Sequence, residues 1–113
     1  MPRDLIAHPD TDAGLDDIAR VLLKAAEILE ADGWCQGKYH DLHTGASCAT
    51  GAVERAKRIL SLYPEYREYQ ARLGFADLDS MGDYTCLTVW NDLVAKSAEE
   101  VIARLRDGAY GRL

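Results

Sequence analysis

The sequence predicts one compact domain of the α+β class, mainly helical, in which three to four packed helices carry a small β-hairpin or short strands. Three segments repeat apolar residues at helical spacing, and a turn-rich stretch and a β-prone stretch lie between them. The 113 residues, 48% of them hydrophobic, suffice for one core. We place the domain over residues 12–113 and interpret residues 1–11 as an N-terminal leader.

The first helix is predicted from an apolar stripe that ends near Asp32. Thr11 or Asp12 is the expected N-cap, and Gly33 is expected to end the helix as a left-handed residue. Charged residues occupy the opposite side of the helix. The stripe consists of apolar residues three or four positions apart: Leu15, Ile18, Ala19, Leu22, Ala26 and Leu29.

Residues 34–47 lose this periodicity and predict a small hairpin or an extended loop. Turn-forming residues ending in glycine separate two short apolar pieces there. Helical spacing resumes after Cys48, so a second helix is expected to start near this residue. Its small first residues, among them Gly51, would let the turn at Trp34 approach closely.

The next elements are predicted from helix-terminating and turn residues. Pro64 suits the first turn of a short helix that Gly74 closes. Turn chemistry over residues 75–84 indicates a loop. Residues 85–90 are β-prone and predict one short strand, with a buried helical turn as the alternative.

A capping box predicts the last helix. Ser97 can accept a hydrogen bond from the backbone three residues on, while Glu100 reaches back. Val101, Ile102 and Leu105 form the apolar side of this helix. We expect it to end near Gly108.

The charge disfavours a nucleic-acid partner. The formal net charge is −6 and the pI is near 4.9, whereas phosphate backbones are bound mainly by Lys and Arg. Arg55, Lys57 and Arg58 form one basic cluster, but acidic neighbours such as Glu54 indicate a solvated mixed-charge face. We expect an acidic protein to meet a basic patch on another protein instead, or no partner.

The chain has neither a long apolar segment nor a hydrophobic signal core, which predicts a cytoplasmic protein without a membrane partner. Three cysteines, an odd number without an export signal, indicate reduced thiols.

Cys35 with His40 or His43 suggests a thiol nucleophile and its base, because a thiol needs a base or a positive field to ionise near neutral pH. The same residues with Cys48 could ligate zinc, although paired Cys-x-x-Cys knuckles are missing. We favour structural cysteines and exposed turn histidines, and we predict no cofactor or metal.

An acidic loop contains Asp77, Asp79 and Asp83 but lacks the alternation and closing glutamate of a calcium loop. The three tyrosines before it, Tyr63, Tyr66 and Tyr69, are three residues apart. Tyrosine is enriched at interfaces, so this stripe, with Asp77 and Asp79, is the predicted partner-binding surface. Half-buried packing and a homodimer contact are the alternatives.

A further set of rare residue types is predicted to hold the fold together and not to form an active site. In this interpretation Asn91 and Asp92 anchor the turn before the last helix. The alternative places Asp92 and Gln36 beside Cys35 in a ligand cleft. The predicted structural keystone consists of Gly33, Trp34, Cys35, Cys48, Gly51, Trp90, Asn91 and Asp92.

Four motifs in order resemble an uncharacterised small-protein family of actinobacteria and their phages: Trp34-Cys35-Gln36-Gly37, Cys48-Ala49-Thr50-Gly51-Ala52, Asn91-Asp92 and Glu100-Val101-Ile102. The resemblance covers roughly residues 15–107. It implies a shared fold and a phage or actinobacterial source, and no catalytic residues. Residues 62–84 are richer in tyrosine and acid than the resemblance implies.

The predicted function is therefore protein binding without catalysis. In a phage setting we expect a small acidic cytoplasmic protein to engage a host protein and alter its activity, with cytotoxicity or host takeover as the outcome. The alternative is a small thiol- or zinc-dependent enzyme that uses Cys35, Cys48 and His43.

Overall fold

A computed structural model describes residues 15–75 and 86–113, and this part of the chain forms five helices. The predicted leader, together with Asp77, Asp79 and Asp83 of the acidic loop, lies outside the described residues. The helices are α1 (Asp17–Asp32), α2 (Ala49–Leu60), α3 (Tyr66–Arg72), α4 (Leu87–Leu93) and α5 (Ala98–Ala109).

The α+β prediction is wrong, because the described residues form no strand and no sheet. In place of the predicted hairpin, residues 34–48 form an irregular loop with two isolated bridges, one from Trp34 and one from His40, that both end at Ser47. A strand pair needs successive bridged residues. The loop turns instead at Gly37 and Gly45, both with positive φ.

Residues 87–90 of the β-prone segment belong to a helix, so the predicted short strand is also wrong and the helical alternative is correct. Leu87, Trp90 and Asn91 are the buried residues of α4. They lie three and four positions apart, so only a helix brings all three to one side. Tertiary burial overrides β-propensity in this short segment.

Helix α1 lies at the centre of the domain and packs chiefly against α5 and α2. Alanines on α1 and α2 let the two backbones approach closely. Burial extends beyond one stripe because α1 is covered on more than one side. Its buried residues are Ala19, Val21, Leu22, Ala25, Ala26, Ile28 and Leu29.

Side chains cap the starts of the three longer helices. Asp16 accepts a hydrogen bond from the Ala19 amide at 2.9 Å and is the N-cap of α1, not the predicted Thr11 or Asp12. Cys48 Sγ accepts from the Gly51 amide at 3.3 Å at the start of α2.

Ser97 caps α5 as predicted, since its hydroxyl accepts from the Glu100 amide at 3.1 Å. The carboxylate of Glu100 accepts from the Lys96 amide at 2.8 Å, one residue before the backbone group that the capping box predicted. The helix ends at Ala109, next to the predicted Gly108.

Arg104 connects α5 to the segment that follows α3. Its guanidinium donates to the Leu73 carbonyl from Nε at 3.0 Å and from an Nη at 2.9 Å. The same group lies over the rings of Phe75 and Trp90, 4.3 and 4.9 Å from the ring centres. Trp90 therefore contributes to the core through a cation–π contact as well as through burial.

Gly51 allows the irregular loop to pack directly on α2. A Cβ atom at this position would lie 2.0 Å from the Tyr39 carbonyl oxygen. The Tyr39 carbonyl also accepts from the Cys48 amide at 3.1 Å, at the start of the same helix. The approach of the loop backbone to α2 therefore requires glycine.

We predict that Gly51→Ala destabilises the protein by about 2 kcal/mol or more, because the loop backbone must move. At an open helical site the same change would stabilise by up to about 1 kcal/mol. Gly108→Ala is the matched control, because its Cβ would meet the movable end of the Leu73 side chain at 2.7 Å. Urea unfolding should show the larger loss for Gly51→Ala, and the reverse order would contradict this account.

Candidate functional site

The buried side-chain amide of Asn91 connects three segments of the chain. Its Oδ1 accepts from the Trp34 indole Nε1 at 2.6 Å and from the Ala49 amide at 2.9 Å. Its Nδ2 donates to the Cys35 carbonyl at 3.2 Å and to Asp92 Oδ1 at 2.8 Å. These five residues are the Asn91 hub. An amide has two donors and two lone pairs, so the Asn91 side chain has no capacity left for a ligand.

Gln36 and Asp92 extend the Asn91 hub along α4. Gln36 Nε2 donates to the carbonyls of Asn91, Asp92 and Ala95 at 2.9, 3.3 and 3.2 Å. Asp92 Oδ1 also accepts from the Gly37 amide at 3.0 Å. The amide nitrogen of Gln36 and one carboxylate oxygen of Asp92 are thus engaged with the protein itself, where they hold the loop against the C-terminal end of α4.

Trp34 and Cys35 are only half-buried, whereas Cys48 and Gly51 are buried. Gly33 precedes them with a φ of 100° and ends α1, and its carbonyl accepts from the Ser47 amide at 3.1 Å. The start of the loop is therefore anchored both by backbone bonds and by the Asn91 hub.

The thiols of Cys35 and Cys48 lack the environment of a nucleophile. Burial raises the pKa of Cys35, and the nearby Asp41 carboxylate raises it further. Burial likewise raises the pKa of Cys48. A reactive cysteine needs the opposite shift. His43 is exposed in a turn that its amide closes on Asp41 Oδ1 at 2.9 Å, and no three potential ligands among the described His, Cys, Asp and Glu residues converge on a metal position.

The three tyrosines of the predicted stripe have different environments. Tyr69 is fully buried, while Tyr66 and Tyr63 are 45% and 65% exposed. The rings of Tyr66 and Tyr69 meet edge to face with centres 5.5 Å apart, and the Tyr69 hydroxyl donates to Glu54 at 3.5 Å. Burial raises the pKa of Tyr66 to about 12. A partner can therefore reach Tyr63 and Tyr66 but not Tyr69.

Tyr63 borders an acidic surface cleft of about 460 Å³, here named the Tyr63 cleft. It lies where the start of α1 meets the start of α3. The Asp17 side chain is 65% exposed, and its nearest cation among the described residues, Arg20, is 3.9 Å away. The cleft is lined by Asp16, Asp17, Ile18, Tyr63, Pro64 and Glu68.

Asp16 carries both a structural and an electrostatic role in the Tyr63 cleft. The Arg72 guanidinium, which pairs with its carboxylate, is the main cause of a lowered Asp16 pKa. The hydrogen bond from the Ala19 amide lowers it further, while partial burial opposes both. The carboxylate therefore keeps its charge to lower pH than an isolated aspartate does.

A second cleft, of about 430 Å³, lies between the irregular loop and α2 and is here named the Arg58 cleft. Its floor is one face of α2, where residues recur three and four positions apart. Its wall is the loop at residues 39–40. The lining residues are Tyr39, His40, Gly51, Glu54, Arg55 and Arg58.

Residues 14–110 match the family of unknown function DUF6197. The chain belongs to this family. The predicted membership of an uncharacterised family is thereby confirmed. Searches of curated proteins and of solved structures find no match.

Among the described residues, no helix has both the length and the apolar character needed to cross a membrane.

Sequence reasoning missed the Arg58 cleft in this DUF6197 member. It interpreted Arg55 and Arg58 only as part of a mixed-charge face. The sequence did contain a signal for this cleft, because residues three and four positions apart mark one helical face: Gly51, Glu54, Arg55 and Arg58. The wall formed by Tyr39 was not predictable, since it depends on how the irregular loop folds onto Gly51.

We predict that Asn91→Ala lowers the free energy of unfolding by about 2–4 kcal/mol, because the Trp34 indole, the Ala49 amide and the Cys35 carbonyl lose their partner. Asp92→Asn is the control. It keeps an acceptor for the Gly37 amide and should cost less than about 1 kcal/mol. Chemical unfolding checks both values, and equal costs for the two variants would show that Asn91 is not the centre of the network.

We also predict a pH effect from Asp16. Because the pKa of Asp16 is lower in the folded than in the unfolded protein, its carboxylate stabilises the fold at pH values above its unfolded-state pKa. This stabilisation disappears as the pH falls through the folded-state pKa. Asp16→Asn keeps a capping oxygen but removes the charge, so it should cost about 0.5 kcal/mol at neutral pH. The free energies of unfolding of the two proteins should converge as the pH falls from about 5 to about 2. A constant difference across this range would exclude the carboxylate as its source.

Proposed function

We propose that this chain is a protein-binding module without catalytic activity and that the Tyr63 cleft docks a basic segment of another protein in the cytoplasm. The observation that carries the proposal is the combination of an exposed tyrosine with carboxylates in one concave surface. Lys and Arg side chains bind carboxylates by charge and aromatic faces by cation–π contact.

The exposure of the tyrosines supports this proposal. Tyr63 and Tyr66 leave 65% and 45% of their surface in solvent although each could bury a large apolar area. Tyrosine loses little conformational entropy on binding and offers both a ring and a hydroxyl, which suits a contact with a mixed apolar and basic segment.

The charge of the whole chain supports it as well. A net charge of −6 attracts basic surfaces over distance and speeds their association. The carboxylate of Asp16 is already neutralised by Arg72, whereas within the described part of the chain Asp17 pairs only with the partly exposed Arg20 at 3.9 Å. Asp17 therefore offers the more available negative charge for a partner.

The proposed absence of catalysis rests on the thiols and on the Asn91 hub. The raised pKa values of Cys35 and Cys48 oppose thiolate chemistry, and the Asn91 amide is saturated by protein partners. The resemblance to proteins of actinobacteria and their phages extends the proposal to its setting. The partner is then a protein of the bacterial host, and binding alters its activity.

The test is a pull-down from actinobacterial lysate followed by affinity measurement with the purified partner. Tyr63→Ala combined with Tyr66→Ala should weaken binding by at least about tenfold, a loss typical of interface aromatics. The thermal midpoint should fall only modestly, because Tyr63 is largely exposed and Tyr66 loses one edge contact with Tyr69. Tyr69 is unsuitable for this test, since its truncation would open a cavity in the core.

Leu42→Ala is the matched control, because Leu42 is 89% exposed and lies on the irregular loop, away from the Tyr63 cleft. It should leave the affinity unchanged, and raised salt should weaken binding of the unmodified protein. The proposal fails if no single partner is recovered, if the partner tolerates the double substitution, or if light scattering shows a homodimer that the double substitution dissolves.

A further inference from the structure

We propose that the Arg58 cleft is an anion-binding site that takes a phosphate monoester attached to a flat ring. This inference is independent of the Tyr63 cleft, which lies at the start of α1 and α3 and has the opposite charge. The inference rests on the shape of the cleft, its local charge and the arrangement of its donors.

The shape of the cleft is set by rigid parts of the fold. Gly51 lets the Tyr39 carbonyl pack on α2, and the Asn91 hub anchors the preceding part of the loop. The volume of about 430 Å³ lies within the range of small-ligand pockets. One wall includes Tyr39, which is 61% exposed.

The local charge is positive although the chain is acidic. Glu54 receives a hydrogen bond from Lys57 at 3.1 Å, which balances its charge. Arg55 is balanced by Asp32 at 2.8 Å. Within residues 15–75 and 86–113, Arg58 has no carboxylate partner and is exposed to solvent. One guanidinium charge therefore remains for an anion.

The donors are partly preorganised. The two terminal nitrogens of Arg55 hold Asp32 Oδ2 at 2.8 Å and Ser47 Oγ at 3.0 Å, which fixes the plane of the guanidinium. The same Ser47 hydroxyl lies 3.5 Å from Nδ1 of His40. A fixed arginine loses little entropy when an anion binds beside it.

These groups favour a phosphate monoester over a simple carboxylate. Two arginines, an imidazole and a phenol line one cleft, and a phosphate monoester presents three terminal oxygens to such donors. Tyr39 offers an exposed face on which a flat ring can stack. The overall negative charge of the chain opposes polyanions such as nucleic acids, so a single phosphate group is preferred.

In the first experiment the purified protein is titrated with phenyl phosphate and, separately, with inorganic phosphate. Binding is monitored by NMR chemical shifts. Phenyl phosphate should bind saturably and more tightly than inorganic phosphate, and Tyr39→Ala should remove most of this difference. Arg58→Gln should weaken binding by at least about tenfold, because a charge-assisted pair is lost. Arg106→Gln, which changes an exposed arginine paired with Glu30 at 2.7 Å, should retain affinity within about twofold.

A second arm identifies the source of the phosphate. A phosphotyrosine peptide and a nucleoside monophosphate share the ring and the phosphate, and tighter binding of either supports the site and names its ligand. Absence of saturable binding, an unchanged affinity in Arg58→Gln, or equal affinity for phenyl and inorganic phosphate would overturn the proposal. Tyr63→Ala should leave phosphate binding intact, so failure of the Tyr63 cleft and failure of this site are distinguishable.

Discussion

The rest of the structure depends on the hydrogen bonds of the buried Asn91 amide. Three of them join residues 42 to 57 positions apart in the chain, and these three connect the loop after α1 and the start of α2 to α4. Their net contribution to stability is modest, but a buried amide or indole without a partner is costly. The irregular loop therefore cannot leave α4 without exposing several unpaired groups at once, and this gives the loop one conformation although it contains no regular secondary structure.

The position of the loop in turn builds the surface of the molecule. Once the Asn91 hub holds Trp34 and Cys35, the chain reaches α2 at Gly51, and the Tyr39 carbonyl packs where a side chain would otherwise stand. The wall of the Arg58 cleft is a consequence of this contact. The Tyr63 cleft arises elsewhere, from the junction of α1 and α3. The Arg58 cleft and the Tyr63 cleft thus have opposite local charge, and each is built by a different part of the fold.

Sequence periodicity predicted the longer helices because their apolar stripes report burial directly. It failed at α4, where a segment of seven residues has the composition of a strand and only tertiary contacts select the helix. The same limit applies to the tyrosines, since spacing alone did not show that Tyr69 faces the core. The residues around Trp34 and Asn91 were predicted to be structural from their rarity. The polar nature of their connection was not predictable, because hydrogen-bond partners so distant in sequence leave no local pattern.

Hydrogen exchange of the Trp34 indole tests the central claim most directly. The indole is only half-buried, so without the Asn91 bond its Nε1 proton would exchange rapidly. If the Asn91 hub opens as one unit, this proton and the Ala49 amide should show matching protection, close to that of core amides such as Leu22 in α1. Exchange of the indole proton orders of magnitude faster than that of the Ala49 amide would show that the loop moves independently of α4, and would contradict the account.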